Sequence, residues 1–276
     1  MIKRSGVEIM NARTGNVSIA KETIQICKDK QYTAPSGQIV DISKQLENAI
    51  QNTVLYRPDD IPTTSALNKS PIIEVVNETT ANAAVRLLGQ GKQKVAALNF
   101  ASARNQGGGF LSGAVAQEED LCRCSGLYPC LKSKPIFYNE NILCDNCFYT
   151  DHIIYSPDVP FFRDDSNNFL EQPFDLSIIS SPAPNLRGAE EIDEAQLIEV
   201  IFERARKILK IAALHEHETI ILGAWGCGAF GNDPILVATI FEEALKDVPH
   251  FSHVCFAVYD VRTPPELFNT FVKIFL

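Results

Sequence analysis

The chain has 276 residues, of which 45% are apolar and 21% are charged, so it can form one large core or two smaller ones. No apolar run comes near the roughly 18 residues of a membrane-spanning helix, and no apolar segment follows Lys3 and Arg4, so we expect a soluble, cytoplasmic protein without membrane contact. The formal net charge of -9 argues against direct binding to a nucleic-acid backbone, which requires a basic face.

The first part of the sequence has helical patterns. The predicted elements are a helix capped by Asn16 or Ser18 that runs to about Lys28, a tight turn at 35–37, a helix over 43–53 and a connector over 57–71. We therefore expect residues 1–70 to form an N-terminal helical extension. It would pack on a core formed by residues 71–276, within a single globular unit.

Strands and helices alternate after residue 70. The predicted strands are 72–76, 94–100, 175–180, 219–222 and 253–259, and the predicted helices are 80–88, 194–214 and 234–245. These strands are apolar on both faces, which is typical of a sheet that helices cover on both sides. The pattern predicts a three-layer α/β sandwich.

The first candidate site is the loop that follows the strand predicted at 94–100. Ligands of such sheets bind beyond the carboxyl ends of the strands. Three consecutive glycines at 107–109 indicate a backbone that approaches a ligand closely or adopts positive φ, although a flexible turn could have the same composition. Glu118 and Glu119 then open a predicted helix. Neighbours in a helix point about 100° apart, so one carboxylate could perform acid–base chemistry while the other holds a sugar.

The second candidate site is the glycine-rich loop after the strand predicted at 219–222. Gly226, Gly228 and Gly231 precede a helix that Asp233 is placed to cap. Free backbone N–H groups and the positive end of this helix would bind a phosphate without a lysine. The G-x-G-x-x-G spacing also matches a dinucleotide fingerprint, but too few residues follow to form the further strands of such a domain. Nicotinamide binding is therefore a weak alternative.

Five of the eight cysteines lie close together, at Cys122, Cys124, Cys130, Cys144 and Cys147. The last two have the C-x-x-C spacing of a zinc site or a redox pair, but no second pair of ligands follows at a suitable distance. We expect reduced thiols that pack as small hydrophobic side chains, and no metal. A metal site at this pair is the alternative.

The two loops resemble those of the poly(ADP-ribose) glycohydrolases (PARGs), in the short bacterial-type branch that consists of a macrodomain. The resemblance rests on a strand that ends in Asn99-Phe100, then G-G-G, seven residues and Q-E-E. The further similar segments are YTAPSGQIVD at 32–41, IYSPDVPFFRDD at 154–165, SSPAPN at 180–185, LGAWGCGAFGNDP at 222–234 and FAVYD at 256–260. The similarity extends over nearly the whole chain and implies a three-layer α/β/α macrodomain with a mixed, largely parallel sheet.

The resemblance also implies roles for individual residues. Glu119 would be the general acid and base, Glu118 would hold the distal ribose by its hydroxyls, and Gln117 would brace the loop. The first glycine loop would admit the ribose, and the second would bind the diphosphate. The remaining substrate-binding residues implied are Asn105, Gly107, Gly108, Gly109, Gly226, Cys227, Gly228, Ala229, Phe230 and Gly231.

The function implied is hydrolysis of ribose–ribose O-glycosidic bonds in poly(ADP-ribose) from the terminus, with release of ADP-ribose and no cofactor. Two alternatives remain: a macrodomain that binds ADP-ribose without turnover, and a hydrolase of mono-ADP-ribosylated protein or nucleic acid. Trp225 lies inside the glycine loop and could face the ligand, but an aromatic residue there more often fills the underside of a turn. Tyr259 and Asp260 could contact adenine or simply end a strand.

Overall fold

The computed structural model describes residues 6–63, 70–189 and 191–276, with side chains from Arg13 onward. Its helices are α1 (Gly6–Asp29), α2 (Ser43–Gln51), α3 (Thr80–Gly89), α4 (Gln117–Cys124), α5 (Leu127–Lys132), α6 (Pro135–Leu143), α7 (Glu194–Leu214), α8 (Pro234–Asp247) and α9 (Glu266–Phe275). Its strands are β1 (Gln31–Thr33), β2 (Ile39–Asp41), β3 (Val54–Tyr56), β4 (Ile72–Val76), β5 (Val95–Phe100), β6 (Ile153–Arg163), β7 (Phe169–Ser181), β8 (Thr219–Leu222) and β9 (His253–Ala257). Among these residues, no helix is both long enough and apolar enough to cross a bilayer.

The main sheet has seven strands in the order β3-β6-β7-β5-β8-β9-β4. The four pairings from β7 to β4 are parallel, and the two pairings that join β3, β6 and β7 are antiparallel. Strands that run parallel need crossover connections, and helices α3, α7 and α8 supply them. The sheet is therefore mixed and largely parallel, as predicted.

Alternating side chains of the strands contribute to two separate cores. In β5, Ala96 and Leu98 face the core that α7, α8 and α9 cover, while Val95 and Ala97 face the core that includes α3 and α4. Successive residues of a strand point to opposite faces, so a strand between two helical layers must be apolar throughout. This arrangement confirms the three-layer α/β/α prediction.

The N-terminal part contains strands as well as helices. Helix α1 starts at Gly6, well before the predicted caps at Asn16 or Ser18. Asn16 lies inside the helix, and its side chain donates to the carbonyl O of Gly113 at 3.4 Å instead of capping the helix. Strands β1 and β2 pair as a hairpin beside the turn, and β3 pairs with β6 at the edge of the main sheet. The predicted connector over 57–71 lies partly outside the described residues. The domain boundary at residue 70 stays a prediction.

The sequence patterns did not reveal the long β6–β7 hairpin or the short helices α5, α6 and α9. Prolines at 157 and 160 stand within β6 and argue against a strand. The register between β6 and β7 shifts twice, between Ser156 and Val159 and between Phe161 and Arg163. Such bulges bend a hairpin, and β6 also forms an isolated bridge to Ser125, next to α4.

Candidate active site

A cavity of about 430 Å³ opens at the carboxyl ends of the parallel strands. Its walls come from the segments that follow β4, β5, β8 and β9, and from the turn between β6 and β7. Both loops predicted as sites contribute to it, and they meet across the strand ends of β5 and β8. Ligands of parallel sheets bind at this edge, so the cavity is the candidate active site.

Glu118 lies in the first turn of α4 and is only 3% exposed. Its Oε2 accepts a hydrogen bond from the N–H of Ser102 at 2.8 Å, and its Oε1 accepts one from Asn99 Nδ2 at 3.3 Å. Burial raises the pKa of Glu118 to about 8, although these two hydrogen bonds act in the opposite direction. At neutral pH the Glu118 carboxyl is therefore mostly protonated, and both of its oxygens are held by the protein.

Glu119 lines the same cavity and is 8% exposed. Its Oε1 accepts a hydrogen bond from the N–H of Gly109 at 2.7 Å, and no described residue donates to its Oε2. The neighbouring Gly108 has φ +58°, and a Cβ there would lie 2.5 Å from Glu119 Oε1. Glycine is therefore needed at 108, and Glu119 keeps one oxygen available to a ligand.

Gln117 ties the start of α4 to the end of β5. Its Oε1 accepts from the N–H of Phe100 at 2.8 Å, while its Nε2 donates to Leu98 O at 2.7 Å and to Thr80 Oγ1 at 3.0 Å. These three hydrogen bonds all go to protein atoms, and together they fix the position of the amide group. The geometry agrees with a bracing role, and Gln117 also lines the cavity.

The four predicted residues of the first loop, Asn105 and Gly107 to Gly109, do not line the cavity. Gly107 faces Cys122 and Tyr128. Gly109 contacts Glu119 through its N–H. Asn105 is exposed and does not line the cavity; its carbonyl accepts from the N–H of Gly108 at 3.0 Å. These residues shape the loop, and their contact with a ligand stays a prediction.

Several backbone N–H groups of the second loop have no hydrogen-bond partner among the described residues. In the described part of the chain, no hydrogen bond is made by the N–H groups of Gly226, Gly228, Ala229 and Phe230. All four of these residues line the cavity. Unpaired N–H groups clustered in one short loop are neutral donors of the kind that bind anions, so the predicted diphosphate site stays a prediction that this geometry allows. Asp233 caps α8 by accepting from the N–H of Ile235 at 2.9 Å, as predicted.

The rest of this loop packs against the protein. Trp225 is buried under the loop, where its Nε1 donates to Ser181 O at 3.0 Å, and it also lines the cavity, so ligand contact stays possible for it. Asn232 fixes the turn, because its Nδ2 donates to Pro184 O at 2.7 Å. Cys227 and Gly231 do not line the cavity. Their assignment as substrate-binding residues stays a prediction.

Sequence reasoning missed Thr79 and Asp165, which line the cavity opposite the second loop. Thr79 caps α3, since its Oγ1 accepts from the N–H of Asn82 at 3.2 Å, and it also donates to the carboxylate of Asp165. Threonine is a typical N-cap residue, so its position just before the helix predicted at 80–88 could have identified Thr79. No pattern could have placed Asp165, because the bent β6–β7 hairpin carries it there.

Asp260 belongs to the scaffold. Its carboxylate accepts from Arg262 Nε and from the N–H of Leu267, at 2.7 and 2.8 Å, which holds the pKa of Asp260 well below its usual range. Tyr259 is 61% exposed and lines the cavity. Of these two residues at the end of β9, only Tyr259 is placed to meet a ligand.

The eight cysteines are free thiols, and those at 122, 124 and 130 pack in the core. Cys144 and Cys147 are half-buried. Within the described ranges, no group of three or more His, Cys, Asp or Glu side chains is arranged to hold a metal ion. The C-x-x-C pair has no further ligands beside it there.

Helix α1 holds the outer side of the loop that precedes the glutamates. Arg13 Nε donates to Ser112 O at 2.9 Å, and Thr23 Oγ1 donates to the carbonyl O of Arg123 at 2.8 Å. Arg123 is buried and donates in turn to Ala114 O at 2.8 Å. The N-terminal extension is thus part of the support behind Glu119.

Comparisons with known proteins show which family the chain resembles. The sequence model of the microbial-type PARG catalytic domain matches residues 20–164. No curated protein matches the sequence.

Among solved structures, the poly(ADP-ribose) glycohydrolase of Thermomonospora curvata is 42% identical, with a TM-score of 0.89 over 95% of this chain and 100% of that one. The same enzyme bound to the inhibitor ADP-HPD is 43% identical, with a TM-score of 0.88 over 95% of this chain and 99% of that one. The poly(ADP-ribose) glycohydrolase of Deinococcus radiodurans in complex with ADP-ribose is 42% identical, with a TM-score of 0.76 over 83% of this chain and 96% of that one. This chain is therefore similar to these enzymes over most of its length.

Proposed function

The chain belongs to the microbial-type poly(ADP-ribose) glycohydrolase family and is a hydrolase of the glycosidic bonds of poly(ADP-ribose), and on this premise we propose the end from which it cleaves and the residues that act. We propose that it removes ADP-ribose units from the terminus of the polymer. One terminal unit would occupy the cavity, with its diphosphate on the second loop and its distal ribose beside the glutamates.

The observation that carries this proposal is the difference between the two adjacent carboxylates. Both oxygens of Glu118 accept hydrogen bonds from the protein, whereas Glu119 keeps Oε2 free toward the cavity. A general acid and base must exchange a proton with the reacting atoms and needs such a free oxygen. Glu119 therefore suits the catalytic role, and Glu118 suits a fixed position against the ribose hydroxyls.

The reaction then needs only groups of this chain and of the substrate. Glu119 would protonate the oxygen that leaves the anomeric carbon of the distal ribose, and would afterwards take a proton from the attacking water. The developing positive charge on the ribose would be stabilised by the diphosphate of the substrate. The free N–H groups of Gly226, Gly228, Ala229 and Phe230 would hold that diphosphate without a cation.

Two other activities are distinguished by their substrates. A macrodomain that only binds ADP-ribose has no use for two adjacent buried carboxyl groups, since a carboxyl group that ionises opposes the binding of an anion. Hydrolysis of a mono-ADP-ribosyl group uses the same anomeric carbon, so the site accommodates that reaction as well. The solved enzymes to which the chain is similar are poly(ADP-ribose) glycohydrolases.

Substitution of the two glutamates tests the assigned roles. Glu119→Gln keeps the size of the side chain but cannot exchange the proton, so we expect turnover of poly(ADP-ribose) to fall by about 10² to 10⁴. The affinity for ADP-ribose, measured by titration calorimetry, should change by less than about threefold, because it depends on the second loop.

Glu118→Gln is the matched control on the same helix turn. It should weaken ADP-ribose binding and turnover together, since Glu118 is assigned to hold the substrate in both states. Near-normal turnover of the Glu119→Gln variant would show that the acid–base assignment is wrong.

A further inference from the structure

Two arginines stand at the rim of the cavity without a carboxylate partner. Arg104 lies in the first loop and Arg187 in the segment after β7; both are exposed, and neither forms an ion pair with any described residue. Neither side chain lines the cavity itself. An exposed arginine that has no carboxylate partner among the described residues is available to an anion from outside.

A continuous set of contacts joins these arginines beside Phe230. The guanidinium of Arg104 lies 5.6 Å from the centre of the Tyr149 ring, and that ring lies 6.4 Å from the ring of Phe230. Asn185 Nδ2 donates to the Tyr149 hydroxyl at 3.3 Å, and Asn185 Oδ1 accepts from the N–H of Arg187 at 3.2 Å. We call Arg104, Tyr149, Asn185 and Arg187 the rim strip.

The rim strip contrasts with the acidic interior of the cavity. Glu78, Glu118, Glu119, Asp120 and Asp165 all line the interior, and the net charge of the whole chain is -9. The net negative charge of the chain repels a polyanion that approaches it. Arg104 belongs to the first loop, and Arg187 donates to Gly228 O of the second loop at 3.3 Å. The two arginines therefore supply positive charge where the two loops meet.

We propose that the rim strip is a second subsite, which binds the diphosphate of the ADP-ribose unit on the leaving-group side of the scissile bond. This inference rests on the proposed function. When a terminal unit is cleaved, the leaving oxygen belongs to the adenosine ribose of the next unit, whose 5′-diphosphate lies a few bonds away. That diphosphate must be placed just outside the cavity, on the side of the distal ribose, where Phe230 and the glycine loop meet the rim strip.

Arg104 is the residue to change, because it touches neither glutamate nor the second loop. Arg104→Glu places a repelling charge in the subsite, and Arg104→Lys keeps the positive charge. Lys44→Glu on α2 is the matched control, since Lys44 is exposed, forms no ion pair with a described residue and undergoes the same charge reversal.

The first measurement is equilibrium binding to protein that also carries Glu119→Gln, so that the ligands stay intact. Arg104→Glu should weaken binding of an ADP-ribose dimer by about tenfold, while binding of single ADP-ribose changes by less than about twofold. Arg104→Lys should restore most of the dimer affinity, and Lys44→Glu should change neither affinity. Equal dimer affinity in the Arg104→Glu and Lys44→Glu proteins would overturn the proposal, and so would an equal loss for the dimer and for single ADP-ribose.

The second measurement is hydrolysis by protein with Glu119 intact. Arg104→Glu should raise the KM for poly(ADP-ribose) by about tenfold with less than about a twofold change in kcat, and it should leave the hydrolysis of an ADP-ribosyl substrate with a small uncharged aglycone unchanged. A wild-type protein that binds the dimer but releases nothing from the polymer would contradict the proposed function, while the binding result would still decide whether the subsite exists.

Discussion

Two adjacent glutamates in the first turn of α4, Glu118 and Glu119, differ in the hydrogen bonds that the protein makes to them. Glu118 is buried and held by the Ser102 N–H and Asn99, whereas Glu119 accepts one hydrogen bond from Gly109. We propose that the same residue type serves two roles here, as in other enzymes in which two carboxyl groups act differently because their environments differ. The sequence shows the pair, but only the packing around it distinguishes the members.

The raised pKa of Glu118 predicts a pH-dependent stability. The folded protein keeps this proton up to about pH 8, while an unfolded glutamate loses it near its ordinary value of 4.5. Between these values folding takes up a proton, so the wild-type free energy of unfolding falls as the pH rises. Glu118→Gln lacks this titration. Relative to the wild type it should gain roughly 1 kcal/mol per pH unit between pH 5.5 and 7.5.

Urea unfolding of both proteins at several pH values, without ligand, measures this difference. The gain should level off above about pH 8, where the folded wild type also loses the proton. A stability difference that stays constant from pH 5.5 to 8.5 would mean that Glu118 is ionised throughout that range.

Gly228 separates ligand binding from folding. A Cβ at this position meets no protein atom within 4 Å, and its φ is not positive, so Gly228→Val should leave the thermal unfolding temperature within about 2 °C of the wild type. The branched side chain would instead occupy the space beside the free N–H groups. We expect ADP-ribose binding to be lost in titration calorimetry.

Gly226→Ala is the contrasting variant, because its Cβ would lie 2.5 Å from Ala183 Cβ and from Asn232 Nδ2. It should lower the unfolding temperature. Unchanged ADP-ribose affinity in Gly228→Val would show that the diphosphate lies elsewhere.

At the scale of elements, helix α1 is a support for the active-site loop. Gly113 has φ +74°, and a Cβ there would lie 2.3 Å from the carbonyl O of Arg13. Gly113→Ala should therefore separate α1 from the loop, lower stability by about 1–3 kcal/mol and reduce turnover by about tenfold or more. Chemical denaturation and a poly(ADP-ribose) hydrolysis assay measure the two effects.

Gly15→Ala on α1 is the control, since a Cβ at Gly15 meets nothing within 4 Å. Alanine in a helix interior should leave turnover unchanged and raise stability by up to about 1 kcal/mol. If Gly113→Ala retains wild-type turnover, α1 does not position the loop.

The elements also show what the sequence could predict. Strands 72–76 and 219–222 and the helix 194–214 were predicted with the observed bounds, because each has a clear apolar period and clear ends. The loops predicted as sites after the strands at 94–100 and 219–222 both contribute residues to the cavity. The β6–β7 hairpin was not predicted as a whole, because its prolines and bulges break the alternation, and therefore Asp165 could not be placed. Arg13 and Thr23 were also missed, since a contact from α1 to a distant loop leaves no periodic signal.

On the scale of the whole molecule, the protein has a net charge of -9, yet its substrate, poly(ADP-ribose), is itself an anionic polymer. We propose that the polymer is bound by neutral N–H donors of the second loop and by two rim arginines that have no carboxylate partner among the described residues, although acidic residues also line the cavity. Neutral donors bind a diphosphate without a metal and without a basic face that would attract nucleic acids. Net charge alone therefore does not exclude an anionic ligand.

The most direct test of the account is a product time course with purified poly(ADP-ribose) chains of defined length and wild-type protein in the presence of a chelator. The account predicts that free ADP-ribose is the main product from the first time points, and that the chelator has no effect, because the site uses backbone donors and a glutamate. Early accumulation of long oligomers, or activity that only zinc or magnesium restores, would contradict it.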